Sequence, residues 1–262
     1  MSILLLLNST ICFAIAVISL TFAWVLAKNE NLEKQNSKPT LYALITFWLL
    51  VSFTYYPTAL RMIAAYLDNA QVDIAMYYIA SIPFAFVSVP VAYFIIYVIT
   101  GNKQASSYVS IIFAMFGASY LMFLLTNRVV EPLVTYWSSI ININSNIAIN
   151  IYLIGLFVIP TAMILGILLL ILLRKISKKI RYRTVLLLVS ISFVIDFMLT
   201  DMITTFDMLQ FVARIFVLIG TVLAYISYFP PPALQERLGI YQHNFESCDE
   251  AEYMDLEEDI DV

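Results

Sequence analysis

The sequence is poor in charge and in the residues that build disulfides and metal sites. Only 12% of its 262 residues are charged, against about 25% in ordinary soluble domains. The single histidine, His243, excludes any site that needs two imidazole ligands. The two cysteines cannot form a disulfide framework, because Cys12 falls in an apolar run and Cys248 in an acidic segment.

Common catalytic motifs are missing as well. The chain has no His-Glu-x-x-His, Cys-x-x-Cys or Gly-x-Ser-x-Gly, and its six glycines form no phosphate-binding loop. An intramembrane aspartyl protease would need a Gly-x-Gly-Asp motif and aspartates on two helices, whereas Asp196 and Asp201 share one predicted helix. We therefore expect a protein that is not an enzyme, and the composition does not suggest binding to nucleic acid.

Apolar residues, in contrast, make up 62% of the chain, and the mean hydropathy is +0.89. A helix needs roughly 20 apolar residues to cross a bilayer. Runs of this length predict seven spans, at about Ile3–Ala27, Leu41–Leu67, Val72–Thr100, Ala105–Thr126, Ile147–Leu173, Thr184–Phe206 and Met208–Phe229. The predicted fold is an all-α integral membrane protein, with a seven-helix bundle over residues 1–240. Prolines inside the spans predict kinks, at Pro57, Pro83, Pro90 and Pro160.

Basic residues predict the orientation, because short cytoplasmic loops carry an excess of Lys and Arg. Eleven of the fourteen basic residues fall in loops on one side, and only Arg128 falls in a loop on the other. The N-terminus is therefore predicted outside and the C-terminus cytoplasmic, in a multi-pass protein of the cell membrane. One loop holds six of these residues, namely Arg174, Lys175, Lys178, Lys179, Arg181 and Arg183. Beyond setting topology, these six are candidates for contact with anionic lipid, a protein partner or the acidic tail.

Residues 241–262 are predicted to be a disordered, acidic cytoplasmic tail. From Glu246 to Val262 there are nine acidic residues and no Lys or Arg. A segment of this composition buries too little apolar surface to offset the entropy of ordering. Two roles stay open for the tail: contact with the basic loop, or solubility alone.

Ionisable residues inside spans are costly in hydrocarbon and usually face the interior of a bundle. The candidates for an intramembrane polar site are Arg61, Asp196, Asp201 and Arg214, with Thr200 and Tyr225 on the polar stripes of the last two spans. Asp201 and Arg214 are about 10 Å from the predicted turn between those spans, which predicts an ion pair. Asp196 has no basic residue at its own depth on the last span. The stripe of the sixth span consists of Ser192, Asp196, Thr200 and Thr204, and that of the seventh consists of Gln210, Arg214, Thr221, Tyr225 and Tyr228. The two stripes either satisfy each other by hydrogen bonds or line a polar pocket.

The segment from Asn127 to Asn146, on the predicted outer side, is long enough to have a role of its own. It carries Tyr136 and Trp137, and both residue types favour the membrane interface. Two interpretations stay open: an interfacial anchor for the neighbouring helices, or a lid over the mouth of the bundle.

Seven helices with an outer N-terminus are shared with retinal proteins, which bind their chromophore through a lysine in the last helix. The seventh span contains no lysine, so covalent retinal is excluded and no cofactor is expected. The third span also lacks a terminal Asp-Arg-Tyr and the seventh lacks Asn-Pro-x-x-Tyr, so the likeness to animal G-protein-coupled receptors ends at topology.

The layout of residues 3–240 has two further features: the basic loop before the sixth span, and an exit sequence composed of Tyr225, Tyr228, Phe229, Pro230 and Pro231, followed by Leu238 and Gly239. In these features the chain resembles the seven-helix sensor regions at the N-termini of some microbial histidine kinases. The resemblance implies sensing within the membrane and relay to a cytoplasmic output module. Because the sequence after Gly239 is too short for a kinase, we expect that module to be a separate protein.

Three functions are compatible with these patterns. The leading hypothesis is a non-enzymatic sensor or receptor-like protein that relays a signal to a separate cytoplasmic partner. The alternative is a small-solute or proton-coupled transporter in which Asp196 titrates. A further alternative is an accessory subunit of a membrane complex. The sequence does not name a ligand.

Overall fold

The computed structural model describes residues 3–28, 38–127, 132–141, 147–173 and 178–231; for residues 147–151, 172, 178–181 and 183 it describes the backbone only. Its helices are α1 (Ile3–Lys28), α2 (Lys38–Tyr66), α3 (Ala70–Phe86), α4 (Ser88–Thr100), α5 (Lys103–Thr126), α6 (Ile147–Leu173), α7 (Lys178–Ile203) and α8 (Asp207–Tyr228). Between α5 and α6, strands β1 (Leu133–Val134) and β2 (Ser139–Ile140) form an antiparallel hairpin.

Within the described ranges, seven helical stretches are long and apolar enough to cross a membrane, and α3 and α4 together make the third. The predicted helical bundle with seven span-length helices is confirmed, and it indicates a multi-pass membrane protein. The two short strands are an addition that the all-helical prediction lacked. We call the end of the bundle with residues 133–140 the hairpin end, and the end with Lys28, Lys38 and Lys103 the basic end.

Several predicted features fall outside what the structure describes. Arg174 and Lys175 lie outside the described residues, as does the predicted tail at 241–262. Lys178, Lys179, Arg181 and Arg183 belong to the start of α7, where only the backbone is described. Their contacts therefore stay predictions.

The bundle has large apolar side chains at its surface as well as in its core, and it buries small polar side chains inside. Leu125 is 70% exposed and Met122 69% exposed, whereas Ser19 and Ser81 are fully buried. Such exposure would be unfavourable in water, but it carries no penalty against lipid chains, which are as apolar as leucine. Small residues inside let the helices approach closely. The distribution is typical of helices surrounded by lipid.

Serine hydroxyls join α1 to α2. Ser9 Oγ donates to the carbonyl of Ala59 at 2.9 Å, and Ser52 Oγ donates to the carbonyl of Ala16 at 2.8 Å. A hydroxyl buried without a partner would cost free energy, so each bond helps to set the register of two helices that are apolar on most faces.

The third predicted span, Val72–Thr100, is divided in the structure. Helix α3 ends at Phe86 and α4 begins at Ser88. Pro90 accounts for the interruption, because it has no N–H to donate to the Phe86 carbonyl and its ring clashes with that carbonyl in a regular helix. The other prolines inside spans lie within unbroken helices: Pro57 in α2, Pro83 in α3 and Pro160 in α6.

Gly117 of α5 packs directly against the end of α3. A Cβ at this position would collide with the carbonyl oxygen of Ala85 and stand only 3.1 Å from its carbonyl carbon. Because backbone atoms form that surface, no side-chain rotation can relieve the collision. Gly117 therefore permits the close approach of α5 to the α3–α4 interruption.

We predict that Gly117→Ala destabilises the fold by about 1–3 kcal/mol, the usual cost of overpacking a well-filled interior. The matched control is Gly155→Ala on α6, where a Cβ would meet no atom within 4 Å and where alanine favours a helix by up to about 1 kcal/mol. Thermal unfolding of both variants in lipid nanodiscs measures the difference. Equal melting temperatures for the two variants would contradict the close packing at Gly117.

Candidate functional site

The predicted ion pair between the last two helices is present. Arg214 Nε lies 3.1 Å from each carboxylate oxygen of Asp201, and Arg214 Nη2 lies 3.0 Å from Asp201 Oδ1. The two side chains are 2% and 10% exposed. The remaining Nη1 points at Met62 Sδ, 3.4 Å away on α2. The pair therefore joins α7 to α8 and also brings α8 against α2.

A second buried ion pair joins α2 to α3. Arg61 Nε lies 2.9 Å from Asp73 Oδ1, and the carboxylate is completely buried. The guanidinium carbon of Arg61 stands 4.8 Å from the centre of the Tyr77 ring, a cation–π distance. A buried arginine without a counter-ion would be severely unfavourable, so Asp73 and Tyr77 explain why Arg61 is tolerated at this depth.

Both arginines line one cavity at the hairpin end. Its volume is about 30 Å³, enough for about two water molecules. Besides the arginines, its polar lining includes Asp201, Gln210 and Tyr77. Sites for metabolites measure about 300–1,000 Å³, so in this conformation the cavity suits water or a very small polar ligand and has no room for a larger substrate.

The β-hairpin closes the site by completing the second ion pair. The Ser139 hydroxyl donates to Asp73 Oδ2, the oxygen that Arg61 Nε does not contact. Arg61 Nη2 donates to the Ser139 carbonyl at 3.2 Å. One hairpin residue thus supplies both a donor to the carboxylate and an acceptor to the guanidinium, and Ser139 itself is only 1% exposed.

Other hairpin residues contact α1 and α8. Asn8 Nδ2 of α1 donates to the Trp137 carbonyl at 2.6 Å, and the Trp137 ring lies 4.7 Å from the ring of Phe211 on α8. The Ser138 hydroxyl donates to Gln210 Oε1. Through these contacts and those of Ser139, four separate helices hold the hairpin. The hairpin thus covers the cavity and also joins four helices, which is compatible with a lid and with an anchor for the neighbouring helices. Tyr136 at its turn is 75% exposed.

The structure separates the six predicted site residues into two groups. Arg61, Asp201 and Arg214 line the cavity. Asp196 instead accepts a 2.7 Å hydrogen bond from Thr161 Oγ1 of α6. Thr200 donates to the Asp196 carbonyl within its own helix, and the Tyr225 ring packs 5.9 Å from that of Phe22 on α1. The ion pair of α7 and α8 thus lines the cavity, whereas Asp196, Thr200 and Tyr225 contact other neighbours.

The sequence patterns did not identify two residues that contact Arg61, namely Asp73 and Ser139. Asp73 had an available signal: Arg61 and Asp73 stand equally far from Leu67, where the α2–α3 turn begins. The equal-depth reasoning that predicts the Asp201–Arg214 pair applies here unchanged. Ser139 had no comparable signal, because its contact depends on how the segment between α5 and α6 folds back.

We predict that Arg214→Gln and Asp201→Asn each destabilise the protein by about 3–5 kcal/mol, because each leaves a buried charge without its partner. The double variant should cost less than the sum of the single variants, since the two residues are coupled. As a control, Asp68→Asn removes a carboxylate from an exposed turn whose φ of 57° asparagine also adopts, and it should change stability by less than about 0.5 kcal/mol. Additive losses in denaturant unfolding would refute the coupling.

No family model, no curated protein and no solved structure matches the chain.

Proposed function

We propose that the chain is a non-enzymatic seven-helix sensor of the cell membrane that relays a change at its outer face to a separate cytoplasmic partner. In this proposal the hairpin end faces outward and the basic end faces the cytoplasm, in accord with the excess of basic residues in the loops at one end. The Ser139 contacts with Arg61 and Asp73 are the observation that carries the proposal.

These contacts make the hairpin a candidate two-state element. When the hairpin is seated, Asp73 receives donors from both Arg61 and Ser139. When it lifts, Asp73 and Arg61 each lose a partner and must be compensated by water or by a ligand. A small polar molecule that supplies those hydrogen bonds would therefore favour the lifted state, and a ligand shifts an equilibrium only through such differential binding.

The helices offer a route from this site to the basic end. Arg61 belongs to α2, which packs against α1, α3 and α4. Arg214 belongs to α8, which packs against α1 and α7. Movement of either arginine would thus act on helices that end beside the predicted cytoplasmic loops. The basic residues at 174–183 and the acidic tail are proposed as the surfaces that a cytoplasmic partner contacts.

We predict that Ser139→Ala loosens the hairpin and alters the basic end. Loss of a donor to a buried carboxylate should cost about 1–3 kcal/mol, and a spin label at the exposed Tyr136 should gain mobility. The control Ser119→Ala removes a hydroxyl that only bonds Met115 within α5 on an exposed face. Both measurements use the full chain carrying Cys248→Ser, so that the spin label attaches to the introduced cysteine and not to Cys248. The other native cysteine, Cys12, is fully buried.

The relay is tested by measuring the distance between two spin labels at exposed residues of the basic end, Trp24 on α1 and Leu173 on α6. The proposal requires the distance distribution to differ between Ser139→Ala and Ser119→Ala. A looser hairpin with an unchanged basic end would make the hairpin a structural cap and would refute the sensor.

The transporter remains the alternative, and Asp196 is the observation that favours it. Its carboxylate lies within a span-length helix, receives one hydroxyl from Thr161, and is partly exposed beside α6. An intramembrane carboxylate between two helices is a recurrent part of proton pathways.

Proton flux in liposomes separates the two functions. The liposomes carry an imposed pH gradient and a potassium diffusion potential. If the protein is a sensor, we predict that their internal pH changes at the same rate as in protein-free liposomes. Flux that is present in the wild type and lost in Asp196→Asn would establish the transporter. An accessory subunit would show no flux and no response of the basic end to Ser139→Ala.

A further inference from the structure

A second concave feature lies at the basic end, opposite to the hairpin. A groove of about 600 Å³ runs between α2, α4 and α5, a volume within the range of sites for small amphiphiles. Its apolar part includes Pro39, Ala43, Val89 and Pro90. Two lysines, Lys38 and Lys103, stand at its mouth.

Both charged residues among the described lining of the groove are lysines. Lys38 is the first residue of α2 and Lys103 is the first residue of α5. Each ammonium group therefore stands near the N-terminus of a helix, where the helix dipole is also positive. None of the described residues that line the groove is acidic.

The groove extends inward from the helix ends. Ser110 lines it and lies about 10 Å along α5 from Lys103, at 1.5 Å per residue. Tyr42, which is 50% exposed, also lines the groove. The deep part lies beside Val89 and Pro90, directly after the interruption between α3 and α4. Two lysines at helix starts thus lead into a largely apolar groove between α2, α4 and α5.

We propose that this groove binds one anionic phospholipid, with its phosphate between Lys38 and Lys103 and an acyl chain along Ala43, Val89 and Pro90. A free phosphate would use the lysines but not the apolar part. A zwitterionic lipid would use the apolar part but gain little from the two positive charges. Only an anionic lipid matches both parts of the groove, and the face involved is the one predicted to meet the cytoplasmic leaflet.

The test measures binding of a fluorescent short-chain phosphatidylglycerol to the purified full chain in mild detergent. Lys38→Gln and Lys103→Gln should each weaken binding about fivefold, the effect expected for one lysine near a headgroup. The matched control is Lys28→Gln, which removes a lysine from the same end of the bundle. Lys28 stands over the Trp24 ring of α1 and does not line the groove.

A second pair of variants tests the apolar part. Thr46→Trp places a large ring in the groove, whereas Thr21→Trp places the same ring on an exposed face of α1. Both threonines donate at 2.8 Å to the carbonyl four residues earlier, so the two substitutions remove equivalent hydrogen bonds. Thr46→Trp should reduce phosphatidylglycerol binding at least tenfold, and Thr21→Trp should leave it unchanged.

Competition identifies the source of the phosphate. Unlabelled phosphatidylglycerol should displace the probe, while phosphatidylcholine should compete at least tenfold less well and inorganic phosphate should not compete at equal concentration. The proposal is overturned if Lys28→Gln weakens binding as much as Lys38→Gln, if Thr46→Trp has no effect, or if either of the other two compounds competes as well as phosphatidylglycerol. Melting temperatures of all variants verify that each is folded.

Discussion

Two buried arginines determine how the hairpin end of this bundle is arranged. In an apolar interior, a guanidinium group is tolerated only where a carboxylate and further acceptors surround it. Arg214 meets this requirement with Asp201 on the neighbouring helix, and Arg61 meets it with Asp73. Each pair spans two consecutive helices, so each holds one antiparallel helix pair in a single register. The cavity, the contact of the Ser139 carbonyl and the approach of α8 to α2 all involve these two side chains.

The rest of the interior is held by weaker and more numerous contacts. Serine hydroxyls bond carbonyls across α1 and α2, and glycine allows α5 to approach the end of α3. Against lipid, burial of large apolar side chains gives little net stabilisation, so close packing of small residues and satisfied polar groups must supply it. This reasoning fits the small polar side chains buried inside, such as Ser19 and Ser81, beside large apolar side chains exposed at the surface, such as Leu125 and Met122.

The hairpin connects the two ion-pair systems of the site. Ser139 contacts Arg61 and Asp73, while Ser138 contacts Gln210, which lines the same cavity as Arg214. A contact to a buried carboxylate is stable when dry and readily replaced when water or a polar ligand enters. That property suits a reversible lid, and it underlies the proposed sensor. The groove at the basic end differs in composition, because the charged residues of its described lining are two lysines and much of the remaining lining is apolar.

The sequence by itself determined the helical bundle, its seven span-length segments and the Asp201–Arg214 pair. These follow from local quantities: the length of apolar runs, the rise of a helix, and the equal distance of two charges from a turn. By the same reasoning the Arg61–Asp73 pair was within reach. Only the tertiary structure decided that Asp196 turns to Thr161 on α6 and that Ser139 reaches Asp73 from a hairpin. The reason is physical: helix rotation and the path of a connecting segment depend on packing between elements distant in sequence, and the periodicity of a single span carries no information about which neighbour its polar face will meet.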